Sequence, residues 1–469
     1  MVGLKGVAGM SNVWMEQPAT RSVLRYFPNA VLPLRGNSWR VEKLYGNQLS
    51  AGNLEDLRAS IADAIRVQFA IRADQHSAAR QEFYEKYGLR DPSLGIIDAS
   101  KVEIIEPATG ILGLWPQTFY CSKCRTFYSL RNETLPRCFE CGNQQFMQPA
   151  LIHICRQCSR YQQLSPPRDF ADQNSRGFFI CKRCGKGKIL LFVKHRKISE
   201  SAWRCNACDE ERRLQAYCQH YFASQKPTQP MDLALTTQEP IKPAVISRVY
   251  VEDMQIEDAV SKNKLTPYER AENVLGGDEL RYLEEVFHID TRYLMLLNNV
   301  TAIICTYGYR TGRDAMVKPF EEYTARGRRY KAYAARNKGS AILVKIKHFE
   351  GDTFTFLHTV EHALTKTCHL LAGVEEGEFM GKVLSESNAV IIYEASGSEQ
   401  GGLEHVFKHR LQQLFPEALR LMATCKYDCS RACPGCVFVR DHLCHPVPRF
   451  FIPNDKLDRH MVLNIWGVK

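Results

Sequence analysis

Ten cysteines fall as five Cys-x2-Cys pairs in one stretch of this chain: Cys121/Cys124, Cys138/Cys141, Cys155/Cys158, Cys181/Cys184 and Cys205/Cys208. Two thiols at that spacing form a tight knuckle whose sulfurs face one tetrahedral ion, an arrangement that suits zinc better than a disulfide. At 469 residues the chain is long enough for two to four separate hydrophobic cores, so it needs no covalent staples. Its 18 cysteines therefore call for metal chemistry.

The first two pairs read Cys-x2-Cys-x13-Cys-x2-Cys, the pattern of a structural zinc ribbon, with a redox dithiol as the alternative. The next three pairs allow two groupings. Sequential pairing joins Cys155 and Cys158 to Cys181 and Cys184, and leaves Cys205 and Cys208 to seek Cys218 and His220. The other grouping joins Cys181, Cys184, Cys205 and Cys208 and strands the first pair. The sequential version is favoured because no knuckle lacks a partner. A further cluster, Cys425, Cys429, Cys433 and Cys436, offers four thiolates and no open position, as in a closed structural site. Cys425 and Cys429 are expected to share a face as a helix ends, and Cys433-Pro-Gly-Cys436 to form a knuckle, with Cys444 or His445 as substitute ligands. The expected load is three to four zinc ions. Cys305 and Cys368 lie in apolar surroundings and read as small core residues.

The fold class read from the pattern is mixed α/β, with zinc-ribbon modules ahead of a C-terminal α/β domain that carries the last cysteine cluster. Residues 1–112 read as mainly helical, because Leu54, Leu57, Ile61, Ile65 and Phe69 recur at helical steps over 53–87 and Gly88 then stops them. Residues 113–225 form the ribbon region, and the proline-rich 226–242 reads as a linker. Residues 243–340 read as a helical and basic region that includes an apolar strand at 300–309. In 341–469, strands are expected at 341–349 and in NAVIIYEAS, and helices over FTFLHTVEHALTKTCHLLAGV and LEHVFKHRLQQLFPEALRLMATC.

The net charge of +11 points to an anionic partner, nucleic acid first. The segment 310–339 carries Arg310, Arg313, Lys318, Arg326, Arg328, Arg329, Lys331, Arg336 and Lys338 with Tyr323, Tyr330 and Tyr333 interleaved, so that cations neutralise phosphates and tyrosines stack on bases. A solvated loop would have the same composition. There is no G-x-x-x-x-G-K-[ST] and no deaminase signature, so any nucleotide hydrolysis belongs to a partner. No stretch has the length of a membrane span and no leader is evident at the N-terminus, which together with reduced thiols points to a soluble, reducing, cytoplasmic setting.

His358-Thr-Val-Glu361-His362 matches H-x-x-E-H. On a helix the two histidines share a face and bind zinc in certain peptidases, with Glu361 as base and Glu386 or Glu394 as third ligand. The bland reading is one buried histidine with the rest facing solvent.

The order LHTVEHAL, VIIYEASGSEQGGLEHVF and CKYDCSRACPGC resembles the cysteine-containing domain at the C-terminus of certain superfamily-two DNA helicases and in the DrmB-like proteins of the DISARM antiphage system. The resemblance covers about residues 115–469 and leaves 1–110 unmatched. It implies a non-catalytic subunit in prokaryotic phage defence that binds DNA beside a DrmA-like superfamily-two helicase. It also implies that Cys425, Cys429, Cys433 and Cys436 are zinc ligands, that Gly401 and Gly402 form a small-residue loop, and that Glu361 and His362 belong to a family helix. A zinc peptidase and a protein-binding ribbon scaffold are the competing expectations.

Overall fold

The computed structural model describes residues 3–5, 12–17, 19–34, 37–50, 54–74, 97–129, 137–156, 158–192, 200–219, 228–238, 240–312, 317–324, 327–347, 350–395, 401–440, 444, 454 and 456–467. Only the long elements used below are labelled: β1 (Asn12–Glu16), β2 (Asn37–Gln48), β3 (Val102–Leu114), β4 (Lys242–Val251), β5 (Ile289–Arg310), β6 (Lys318–Thr324), β7 (Gly327–Ile346), β8 (Phe379–Leu384) and β9 (Ala389–Glu394), with helices α1 (Leu54–Asp74), α2 (Gly277–Val286), α3 (Thr353–Ala372), α4 (Gly402–Ala423) and α5 (Arg459–Ile465).

A large, mostly antiparallel sheet organises the molecule, and β7 runs through its centre. Its start pairs in parallel with β3, from Tyr330 opposite Val102 to Tyr333 opposite Ile105. Its end pairs antiparallel with β9, from Ala341 opposite Tyr393 to Lys345 opposite Ala389, and its other edge follows β5 for most of its length.

Both faces of the sheet are covered, so its central strands are apolar on both sides rather than alternating. Ala332 and Ala334 pack toward Leu57, Ile61 and Ile65 of α1, whereas Tyr333 and Ala335 join the opposite core. Farther along β7, Ile342 and Val344 pack against Val360 and Leu364 of α3 and Val406 and Phe407 of α4. The architecture is the mixed α/β class expected from the sequence.

Helix α3 begins where Asp352 accepts a hydrogen bond from the Thr355 N–H at 3.1 Å, and ends where Gly373 takes a left-handed φ of 68°. Helix α4 starts behind Gly401, and Gly402 abuts the Phe379 ring so closely that a Cβ there would stand 2.7 Å from its Cζ. Gly402 is thus a packing requirement, whereas Gly401 has open space around it and serves the left-handed backbone, φ 59°, at the start of the helix.

Three regional expectations change. The N-terminal 112 residues contribute β1, β2 and β3 to the sheet as well as α1, and the part of the expected helix beyond Asp74, with Gly88, lies outside the described residues. The segment read as a linker carries strands: Thr228–Pro230 pairs with Tyr217–Gln219, and Asp232–Leu235 pairs with Leu151–Ile154. Of its prolines, Pro230 closes a strand and Pro240 stands just ahead of β4, so neither belongs to a free tether. The region read as helical and basic is dominated by β4, β5, β6 and β7, because residues buried on two faces lose the period-two signature of a strand.

Candidate metal centres

Each Cys-x2-Cys pair sits at the tip of a short turn, and the residue after its second cysteine has a left-handed backbone: Arg125 (φ 64°), Gly142 (69°), Ser159 (58°), Gly185 (66°) and Asp209 (56°). That residue closes the turn. The Arg125, Gly142, Ser159 and Gly185 N–H groups donate to the carbonyls of Cys121, Cys138, Cys155 and Cys181 at 2.9 to 3.2 Å. Other N–H groups turn onto sulfur, as Gly187 does onto Cys184 Sγ at 3.2 Å and Ala207 onto Cys205 Sγ at 3.4 Å.

The sulfurs converge in four groups: Cys121, Cys124, Cys138 and Cys141; Cys181, Cys184, Cys205 and Cys208; Cys155, Cys158 and Cys218; and Cys425, Cys429, Cys433 and Cys436. A zinc ion with Zn–S bonds of about 2.3 Å requires sulfur–sulfur edges of about 3.8 Å. The observed edges fit. Cys121 and Cys141 are 3.5 Å apart, Cys124 and Cys138 3.5 Å, Cys181 and Cys208 3.8 Å, and Cys184 and Cys205 3.6 Å. A disulfide needs about 2.05 Å, and all of these cysteines are free thiols. The N–H groups of Lys186 and Gly187 hold the Cys184 thiol down to about 6, which prepares an anionic ligand.

This grouping overturns the sequential pairing. Strand Ile189–Phe192 pairs antiparallel with Ala202–Cys205, which folds the knuckle at 205–208 back onto the one at 181–184. Strand Leu151–Ile154 instead pairs with Asp232–Leu235, and the chain return at 217–230 delivers Cys218, whose Sγ lies 3.4 Å from that of Cys158. His220 lies outside the described residues.

In the last cluster Cys425 stands 3.8 Å from Cys429 and 3.4 Å from Cys433, while Cys436 stands 3.6 Å from Cys429 and 3.8 Å from Cys433. Helix α4 ends at Ala423, before the first ligand, so the expectation that Cys425 and Cys429 share a helical face does not hold. A turn holds them, with Asp428 at φ 41° and its N–H on the Cys425 carbonyl at 3.0 Å. Two cations brace this loop. Lys366 of α3 donates to the carbonyls of Pro434 and Phe438, both at 3.2 Å, and Arg459 of α5 reaches the Cys429 carbonyl. No local pattern marked either residue, since each acts across a distance that only the fold closes.

The H-x-x-E-H residues are all buried: His358 is 2%, Glu361 4% and His362 0% exposed. Burial pushes the Glu361 carboxyl up to about 8, and Thr365 donates to it at 3.1 Å. Neither Glu386 nor Glu394 joins the histidines. The Glu394 carboxylate accepts from the Ser340 and Leu403 N–H groups. The third donor beside His358 and His362 is Cys444.

The basic segment 310–339 begins at the end of β5 and includes the paired strands β6 and β7, and its residues have mixed fates. Arg310 is buried, as are Tyr330 and Tyr333, so these three form no outer binding face. Arg328 pairs with Glu321 at 3.3 Å and Lys331 with Glu322 at 2.7 Å; the Arg336 guanidinium donates to the Ser50 carbonyl. Arg329, Arg336 and Lys338 are exposed, and Tyr323 is 67% exposed. Arg313 and Arg326 lie outside the described residues. The charge is concentrated elsewhere: residues 121–220 hold 18 Lys and Arg against 8 Asp and Glu, an excess of ten beside the whole chain's eleven. Lys123, Arg125, Arg156, Lys182, Arg183 and Lys186 stand exposed on the knuckles.

Closed sets of thiolates on rigid turns define a zinc-binding protein. Residues 360–437, which span the last part of α3, all of β8, β9 and α4, and the four-cysteine loop, match the MrfA Zn-binding domain, and this stretch contains the cluster Cys425, Cys429, Cys433 and Cys436. Residues 26–247 match a domain of unknown function, DUF8724. The crystal structure of the DUF1998 helicase MrfA bound to DNA is similar with a TM-score of 0.26 and 12% identity, over 64% of this chain and 38% of that one. The chain therefore spans well under half the length of that helicase. No curated protein matches the chain. Among the described residues, no helix is long and apolar enough to cross a membrane.

Proposed function

We propose that this protein is a zinc-stabilised, DNA-binding subunit that works beside a superfamily-two helicase, without catalytic chemistry of its own, in an antiphage system of the DISARM type. The observation that carries the reading is the zinc-binding domain at 360–437, which is of the kind found in MrfA, itself a helicase captured on DNA. The chain has no phosphate loop, so the motor is assigned to a DrmA-like partner.

DNA contact is assigned first to the knuckle surfaces, where zinc holds exposed cations on rigid turns with little ordering cost on binding. The exposed Arg329, Arg336 and Lys338 of the β6–β7 hairpin are the secondary contact. The test is fluorescence anisotropy with labelled DNA across a salt series, together with co-purification of a tagged helicase subunit. The affinity should fall steeply with salt, and charge reversal at Lys123, Arg125 and Lys186 should weaken it at least tenfold, more than reversal at Arg329 and Lys338. Salt-independent binding, or loss of the helicase while DNA binding stays intact in the reversed variants, would favour a protein-binding scaffold instead.

A further inference from the structure

His358, His362 and Cys444 bring two imidazole nitrogens and one sulfur within 4.8 Å of one another at a point enclosed by protein. Cys444 is 5% exposed, and its Sγ lies 3.4 Å from His358 Nε2. The outer nitrogens of both rings face main-chain carbonyls, with His358 Nδ1 3.3 Å from the Lys456 oxygen and His362 Nδ1 2.9 Å from the Val437 oxygen. A carbonyl only accepts, so each Nδ1 carries the proton and each Nε2 keeps its lone pair toward the shared point. This is how metal-binding imidazoles are held.

The sulfur carries the mark of a ligand as well. The Asn454 N–H donates to Cys444 Sγ at 3.2 Å, repeating the N–H to sulfur bonds of the knuckles. Asn454 in turn holds Val439 through two hydrogen bonds of 2.9 Å. Glu361 Oε2 stands 3.5 Å from His362 Nε2, longer than a strong hydrogen bond.

We propose that His358, His362 and Cys444 form a further zinc site, separate from the four cysteine clusters, which fastens Cys444, with Asn454 beside it, onto α3. Two nitrogens and one thiolate suit a borderline divalent ion, with the fourth position taken by water or another donor. Cys444 also lies on the wall of a cavity of about 450 Å³ that is lined by Phe354, Arg248 and Lys382 among others, which gives an ion a route to otherwise enclosed donors. The site does not depend on DNA binding or on a helicase partner.

The test loads the full chain with cadmium-113 and records its NMR spectrum, with metal counted per chain. The expected result is one resonance characteristic of single-sulfur, two-nitrogen ligation, upfield of the sulfur-rich set, with coupling to nitrogen-15-labelled histidine. Cys444→Ser should abolish that resonance alone and remove one ion per chain. His362→Cys, which exchanges one donor for another, should keep the ion count and move the resonance toward the sulfur-rich set. A wild-type spectrum without the resonance would overturn the site. So would an unchanged ion count in Cys444→Ser, or a resonance that survives Cys444→Ser and disappears in Cys218→Ser.

Discussion

Arg459 grips the carbonyl of Cys429 with two of its nitrogens, Nε at 3.0 Å and Nη2 at 2.9 Å, while Nη1 donates to the Met422 carbonyl at 2.9 Å. One buried guanidinium thus ties the last turn of α4, where carbonyls lack intrahelical partners, to the loop that presents the last zinc ligands. Its ion pair with Asp428 adds little, because that carboxylate is fully exposed. Arg459→Met should destabilise the folded protein by about 2 kcal/mol, because the buried Met422 carbonyl loses its donor while the half-buried Cys429 carbonyl is left facing His460 Nε2 at 3.2 Å, and should speed zinc release to a chelator. Asp428→Asn should stay within about 0.5 kcal/mol of wild type. Equal effects of the two variants in denaturant titration and chelator kinetics would refute this account.

Gly187 leaves no room for a side chain, because a Cβ on it would run into Cys205 Sγ. Gly187→Ala should therefore eject the ion held by Cys181, Cys184, Cys205 and Cys208 and lower the zinc content by one per chain. Gly185→Ala faces open space and carries only the strain of φ 66°, so it should keep its ion at a cost of about 1 kcal/mol. Elemental analysis and thermal unfolding of both variants separate the two causes.

Trp203 packs edge-on against Phe127 with ring centroids 4.7 Å apart, and so joins the hairpin that carries Cys205 to the strand that follows Cys124. An isolated bridge between Thr126 and Leu190 lies beside this contact. Trp203→Ala should cost about 3 to 5 kcal/mol and loosen zinc at both ribbons together. If chelator competition showed weakening at only one, the two ribbons would be independent units.

His369 accepts hydrogen bonds at Nε2 from the N–H groups of Gly377 (3.3 Å) and Phe379 (3.1 Å), which requires a neutral ring. Burial pulls its pKa down to about 4 from an ordinary 6.5. The unfolded chain then binds more protons between those values, so the stability contributed by the neutral ring is complete above pH 6.5 and is lost as pH falls toward 4. The slope is at most about 1.4 kcal/mol per pH unit from this one group. His369→Gln, which keeps an acceptor and has no titration, should flatten that window in urea midpoints measured from pH 4 to 7.

The knuckles were legible in the sequence because their geometry is local: two cysteines three apart and one closing turn suffice. The partnership of knuckles was not, since Cys218 reaches Cys158 only through strand pairings across the 217–230 return. Three of the five turn-closing positions, Arg125, Ser159 and Asp209, are not glycine, so their left-handed backbones left no mark. Helices α3 and α4 were legible from length and apolar spacing. Strands β5 and β7 were not, because Ile303 and Ile304, like Ala334 and Ala335, are buried on opposite faces and no polar alternation survives. Cys444 was noted only as a stand-in for the terminal cluster, and the fold gives it two histidines from α3 instead.

The central position of β7 also dictates the order in which the molecule can be completed during synthesis. β3 is made early, yet its parallel partner at Tyr330 to Tyr333 emerges more than two hundred residues later. Until then that part of the edge of β3 waits unpaired on the ribosome, while the ribbons, whose contacts are short in sequence, can already take up zinc and close. The zinc modules are therefore suited to act as early folded islands, closed before the arrival of one late strand completes the centre of the large sheet.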